Sequence, residues 1–308
     1  MAADPLSDAL ALIDARCVVA GAFTAGGDWA LRLRPRARLK LTAVVRGSCW
    51  LAAAGVEQPV LLREGDVAIL NDREWDVLAS DLALEPLEAS ALFARHADGV
   101  VRIGDGADVA VVGTHIDVDQ GGEDLLLAAL PPLTHVRAGA DEAPVLRWLL
   151  DRLLDEMATD RPGSGFAARQ HAPLVFVEVL RAFLAGAAQF PPGWLRVLAD
   201  YRLAPALRLM HADPGHPWRL TELARAASMS RTTFAERFRA AAGMPPLTYL
   251  HHWRMRMAKR VLREENTTIA VLAPALGYAS ESAFSTAFKR TTGVAPKRYR
   301  DASRSPSR

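Results

Sequence analysis

Cysteine is scarce in this chain: Cys17 and Cys49 are the only 2 among 308 residues. Two cysteines in such a length make no disulfide framework, so a reducing compartment, the cytoplasm, is expected. No stretch reaches the roughly 18 uncharged apolar residues of a membrane helix, so no membrane contact is expected. The start, from Met1 to Pro5, has no basic segment leading into an apolar one and reads as no secretory signal. Histidine is thin where a metal would need it. Before residue 140 only His96, His115 and His135 occur, and none forms a His-x-His pair. A catalytic centre of the kind found in small β-barrels needs about three His and a carboxylate converging. The three histidines are therefore expected to be surface or structural, with no metal, no cofactor and no enzymatic activity.

What is present is unevenly placed. The whole chain holds 37 Lys and Arg against 35 Asp and Glu. Residues 201–308 hold 19 against 7, which leaves 18 against 28 in residues 1–200. A cationic segment on an acidic partner is the electrostatic footprint of a nucleic-acid binder. The cationic segment also repeats itself. Ser230, Phe234, Phe238, Gly243, Pro246 and Tyr249 recur as Ser280, Phe284, Phe288, Gly293, Pro296 and Tyr299, each 50 positions later. The serines suit helix N-caps, and the phenylalanines, four apart, share a helix face and are expected in the core. The glycines suit left-handed C-caps. Ahead of each copy lies a short amphipathic helix, 221–227 and 269–276, with Thr221 and Thr268 as expected caps. Two short helices joined by a tight turn make a helix-turn-helix. Pro274 inside the earlier helix of the second copy predicts a kink or a short helix. Between the copies, Pro246 to Glu264 reads as one helix with Leu247, Leu250, Trp253, Met257, Val261 and Leu262 as its apolar stripe. Such a rod suits two recognition helices held about one DNA turn apart, roughly 34 Å.

Residues 203–300 resemble the AraC/XylS family of bacterial transcription regulators. The run from Gly277 to Arg300, with Tyr278, Ser280, Phe284, Phe288, Gly293, Pro296 and Tyr299 in order, is closely similar to that family's signature. The resemblance implies two recognition helices entering successive major grooves. Carried over by position, the base readers are Thr232, Ala235 and Glu236 in the first copy, and Glu281, Ser282, Ser285 and Thr286 in the second. Carboxylates there accept from cytosine, and hydroxyls serve several bases. Arg231, Arg237, Arg239, Lys289, Arg290, Lys297 and Arg298 are expected on phosphates, where they set register and salt dependence.

From about 28 to 118 the sequence turns to short β-like runs: 29–33, 40–45, 49–52, 59–62, 66–70 and 108–112, punctuated by Gly and Asp turns. This segment resembles the cupin-type sensor domain of some AraC-like regulators. Where cupins often carry a His, this chain has Trp75 and Asp76. Trp29, Trp50 and Trp75 are candidates for the mouth of the barrel, at least two of them for its core. Cys49 and Cys17 are candidate redox sensors, with Arg46 and Arg16 near them in sequence, although free Cys is most often buried. Helices are expected over 141–160 and 173–188, with wide apolar faces suited to pairing two copies.

The fold expected is α+β and multidomain. It comprises a cupin-like β-barrel over 1–130, central dimerisation helices over 131–200, an all-α domain with two helix-turn-helix units over 201–302, and a disordered tail over 303–308. The function expected is transcriptional regulation through double-stranded promoter DNA, with RNA polymerase, a small-molecule effector and a second copy of the chain as partners. A cysteine-based redox regulator and a cupin-type metalloenzyme are the alternatives.

Overall fold

The computed structural model describes residues 4–93, 100–118, 123–137, 143–186 and 190–304. His96 and residues 305–308 of the expected tail lie outside them. In chain order the elements are α1 (Pro5–Leu12), β1 (Arg16–Ala25), β2 (Ala30–Leu33), β3 (Leu39–Arg46), β4 (Ser48–Ala53), β5 (Val60–Arg63), β6 (Val67–Asn71), β7 (Asp76–Ala79), β8 (Leu87–Glu88), α2 (Ala89–Phe93), β9 (Val100–Ile103), β10 (Val109–Asp117), α3 (Glu123–Leu127) and β11 (Leu133–Val136). The helices α4 (Ala143–Ala158), α5 (Ser164–Ala185), α6 (Trp194–Ala199), α7 (Ala204–Ala212), α8 (Leu220–Ala226), α9 (Arg231–Ala242), α10 (Pro246–Glu264), α11 (Ile269–Ala275), α12 (Glu281–Thr292) and α13 (Pro296–Arg304) follow. The last one runs two residues into the segment expected as a tail.

Two compact units form. The sheet unit comprises Ala15–Val118 and Leu130–Gln189; the reader unit comprises Met1–Asp14, Asp119–Ala129 and Phe190–Arg308. This redraws the expected boundaries. Helices α4 and α5 pack on each other and on β3 and β1, so they complete the sheet unit and make no separate central region. The strand β11 also lies past residue 130, paired with β6. Conversely, α1 packs on α7 and α10, and the Trp194 indole donates to the Leu125 carbonyl at 3.0 Å, so both early segments belong to the reader unit.

The sheet unit is a sandwich of two sheets, ordered β11-β6-β3-β10-β1-β9 and β5-β4-β7-β2-β8. The described strands form these two separate sheets, where one barrel was expected. Period-two alternation sends Phe23, Val44, Leu70 and Val111 of the larger sheet and Leu31, Leu51, Leu62 and Leu78 of the smaller into one shared core. The opposite face of β3, with Leu39, Leu41 and Ala43, is buried as well, and α4 packs on that strand. Strand β1 escaped the sequence reading because a bulge at Gly21 breaks its alternation. Helix α5 begins nine residues before the expected start, with Pro173 inside it.

In the reader unit, α10 is the continuous rod expected. Its buried face is Tyr249, Leu250, Trp253, Met255, Ala258 and Leu262, whereas Leu247 is exposed. The N-terminal part of the rod packs Tyr249 on Phe238, and its C-terminal part joins Leu272, Leu276, Phe284 and Phe288 in a second core. One helix therefore serves two small cores.

Candidate nucleic-acid interface and ligand cavity

Ser230 accepts from the Thr233 N–H at 3.2 Å and starts α9; Ser280 accepts from the Ala283 N–H at 3.1 Å and starts α12. Gly243 and Gly293 end them in left-handed conformations, φ 76° and 81°. Each caps the helix as the repeat required. The expected cap of α8 is displaced. Arg219 is the N-cap residue, its N–H donates to Glu222 Oε2 at 2.7 Å, and Thr221 falls inside the first turn. Thr268 is the N-cap residue of α11, which is short, seven residues with Pro274 inside.

The copies differ in one respect that the repeat conceals. The earlier helices, α8 and α11, are offset by 49 residues, while α9 and α12 are offset by 50. The second turn is one residue longer. At its left-handed position it has Gly277 (φ 77°), where the first has Ser228 (φ 53°). A Cβ at 277 would meet the Gly215 carbonyl oxygen and the Arg254 guanidinium, so only glycine closes this turn.

An aromatic triad holds each of α9 and α12. Phe234 and Phe238 stand 5.6 Å apart, with Tyr249 at 5.7 Å from Phe238; Phe284 and Phe288 stand 5.7 Å apart, with Tyr299 at 5.4 Å from Phe288. All four phenylalanines have no exposed surface. With that face turned inward, Thr232, Glu236, Glu281, Ser282 and Thr286 are exposed, and Ala235 and Ser285 are half-buried at the edge of the core. Arg231, Arg239, Lys289, Arg290, Lys297 and Arg298 are exposed as well. Arg237 departs from the expectation. Its Nε donates to Asp200 at 2.6 Å, an ion pair that occupies part of its guanidinium. Sequence reasoning missed this because Asp200 lies 37 residues away, at the end of α6.

Beneath the first copy, His211 stacks on Trp253 at 3.6 Å and its Nε2 meets the Tyr249 hydroxyl at 2.8 Å. Burial holds its pKa down at about 3, so this imidazole is neutral at physiological pH.

The sheet unit contains a cavity of about 260 Å³ between its two sheets. It is near the lower end of small-molecule sites, roughly 300 Å³. Phe23, Leu33, Leu78, Phe93 and Val111 supply apolar wall; Lys40, Thr42, Arg73 and His115 supply polar wall. None of the three candidate tryptophans lines it. Trp29 is core, edge-on to Phe23 at 5.3 Å, Trp50 is half-buried, and Trp75 is exposed. His135 Nε2 lies 2.9 Å from Asp66 in a structural pair. Among the described residues, no group of three or more His, Cys, Asp or Glu is placed to hold a metal, and no helix is long and apolar enough to cross a membrane.

The cysteines sit apart from the cavity. Cys49 is core, and burial alone pushes its thiol up to about 12. Cys17 is pushed up to about 11, chiefly by burial, with Asp117 adding to it. Neither Arg46 nor Arg16 lowers these values.

Residues 4–185 match a cupin family, and residues 223–302 match a helix-turn-helix domain family. An AraC-like transcription regulator from Streptomyces antibioticus is 40% identical over 297 residues, which is 96% of this chain and 98% of that protein. The HTH-type transcriptional regulator AlkR from Acinetobacter baylyi is 30% identical over 289 residues, 90% of this chain and 92% of that one. The solved DNA-binding domain of AdpA, a global transcriptional factor in complex with a target DNA, is 30% identical, covers 34% of this chain and 94% of its own, and has a TM-score of 0.32. A helix-turn-helix pair with its polar face outward, in a chain alignable with a regulator along nearly its whole length, has one reading: this protein belongs to the AraC-like transcription regulators, DNA-binding proteins, here with a cupin-type N-terminal domain.

Proposed function

We propose that this protein recognises promoter sequence through the outer faces of α9 and α12, and that a small effector bound in the sheet unit controls it. The observation that carries the first part is the exposure pattern. On both helices the buried Phe pair turns the early polar positions Thr232, Glu236, Glu281, Ser282 and Thr286 to solvent. These side chains read bases, while Arg231, Arg239, Lys289, Arg290, Lys297 and Arg298 hold phosphates. Binding-site selection on the full chain tests it. Glu236→Ala and Ser282→Ala change base preference more than bulk affinity; Lys289→Ala weakens all sequences alike. Unchanged preference in both reader variants would refute the assignment.

Control by an effector is supported by the cavity and by chain order. The cavity is lined by β1 (Gly21, Phe23) and β10 (Val111, Gly113, His115). Strand β1 follows directly on α1, and β10 leads toward α3, both segments of the reader unit. A change in the β1–β10 pair is thereby tied to the reader unit through the backbone. Pairing of two copies is supported by Val145, Trp148, Phe166 and Leu174, which stay exposed after α4 and α5 have packed. Trp148→Glu is expected to lower the association state in sedimentation equilibrium. RNA polymerase is the remaining proposed partner. The raised pKa values of both thiols, Cys49 buried and Cys17 half-buried, oppose a cysteine switch, since such a switch needs an accessible thiolate.

A further inference from the structure

In the sheet unit, the face of β3 that supplies Val44 to the core changes character toward the other end of the strand. Lys40 and Thr42 lie on that face. On β10, His115 follows Val111 and Gly113 in the same way. The core face has turned polar at one end of the sandwich, and the polar residues are not at the surface. Lys40 is 3% exposed, Thr42 0%, Arg73 5% and Asp76 0%.

The charges there do not balance among themselves. Asp76 accepts from Lys40 Nζ at 2.6 Å and from Arg73 Nε at 3.0 Å, so one carboxylate serves two cations. Arg73 Nη1 donates to the Ala37 carbonyl at 3.3 Å. Arg73 Nη2, Thr42 Oγ1 and His115 Nδ1 are buried with no partner among the described residues. All three residues line the cavity. Arg34 and Arg36 line it too, and among the described residues no carboxylate does. Buried polar groups are nearly always paired, so unpaired donors beside a cavity mark the place of a missing acceptor. Phe23, Leu33, Leu78 and Phe93 supply the cavity's apolar lining.

We propose that this cavity takes a small anionic amphiphile, a carboxylate with an apolar body. Its oxygens accept hydrogen bonds from Arg73 Nη2 and Thr42 Oγ1, and its body lies against the apolar wall. The proposal rests on the reading of the sheet unit as an effector domain and names the chemistry of the effector.

Calorimetric titration of the full chain with octanoate, 1-octanol and octylammonium tests it. Octanoate is expected to bind on the order of tenfold tighter than octanol, as a charge-assisted bond to a buried guanidinium allows, and octylammonium not to bind. Arg73→Met keeps the Lys40–Asp76 pair. It should remove the preference for octanoate over octanol. Gly113→Val is the second variant. A Cβ there meets the Gly21 carbonyl oxygen at 3.7 Å and Lys40 Cε at 3.8 Å, ordinary van der Waals contact, so the added side chain starts from the wall without a clash at Cβ. It should abolish binding of both octanoate and octanol. Octanoate that does not bind, binds no tighter than octanol, or binds Gly113→Val as well as the parent would overturn the proposal. Promoter binding in the same samples is a separate measurement. Its loss in the parent protein counts against the regulator reading, whatever the calorimetry gives.

Discussion

Phe234, Phe238, Phe284 and Phe288 have no exposed surface, while Glu236, Arg237 and Thr286 between them are exposed. In the sheet unit it is Lys40, Arg73 and Asp76 that have almost none. The reader unit packs its core with apolar groups and one neutral imidazole, His211, while the sheet unit buries an ion cluster beside a cavity. Under the proposed function, the difference follows from where each unit meets its partner. A DNA-binding helix meets its ligand on the outer surface, so its core needs no buried charge. A domain that encloses a small molecule must present polar groups inside, where leaving them unpaired costs about 1–3 kcal/mol each.

Breaking either interior should have the largest effect. Phe288→Ala removes a side chain wedged between Phe284 and Tyr299. It should cost about 3–5 kcal/mol in urea unfolding and abolish specific DNA binding. Phe238→Ala should do the same through Tyr249. Asp76→Asn should cost about 3–5 kcal/mol in the sheet unit, because Lys40 and Arg73 then remain buried without their carboxylate. If Asp76→Asn is neutral, the contrast between the units fails.

Acid should act on the reader unit through His211. Its folded pKa, about 3, lies below the ordinary 6.5, so the unfolded chain binds the extra proton between those values. Stability from this group is present above about pH 6.5 and is lost as pH falls toward 3. The urea midpoint should drop between pH 7 and 5, and less steeply in His211→Leu. An equal slope in that variant would remove His211 from the account.

The smallest effects sharpen the reader surface itself. Lys289→Ala should reduce the salt dependence of promoter binding by about one counterion. Arg237→Ala should change it less, since Asp200 already holds that guanidinium. Equal slopes for the two variants would mean that the ion pair opens on DNA.

These experiments need the full chain. A fragment cut at residue 201, the boundary expected from the repeat, would discard α6, whose Trp194, Leu195 and Val197 are buried. It would also discard α1 and the segment that carries Leu125. The repeat marks only where two similar motifs lie. It carries no record of which distant segments complete their cores.

The elements of the reader unit were legible because their signals are local. A serine cap, two phenylalanines four apart and a left-handed glycine act within one helix, so the ends of α9 and α12 were readable to the residue. The charge asymmetry and the polar positions of the recognition helices needed no long-range contact either. The sheet unit was legible only in outline. Its alternating strands could be read, but β1 with its bulge, the short β7 and β8, and β11 beyond residue 130 are strands because of what they pair with. The sequence by itself thus determined the two recognition helices, the rod between them and the sign of their surface. Only the tertiary structure decided that Arg237 meets Asp200, that Cys49 is packed core, and that Lys40, Arg73 and Asp76 meet beside a cavity. Each of these depends on residues distant in the chain, brought together when the apolar faces of separate elements are buried against one another.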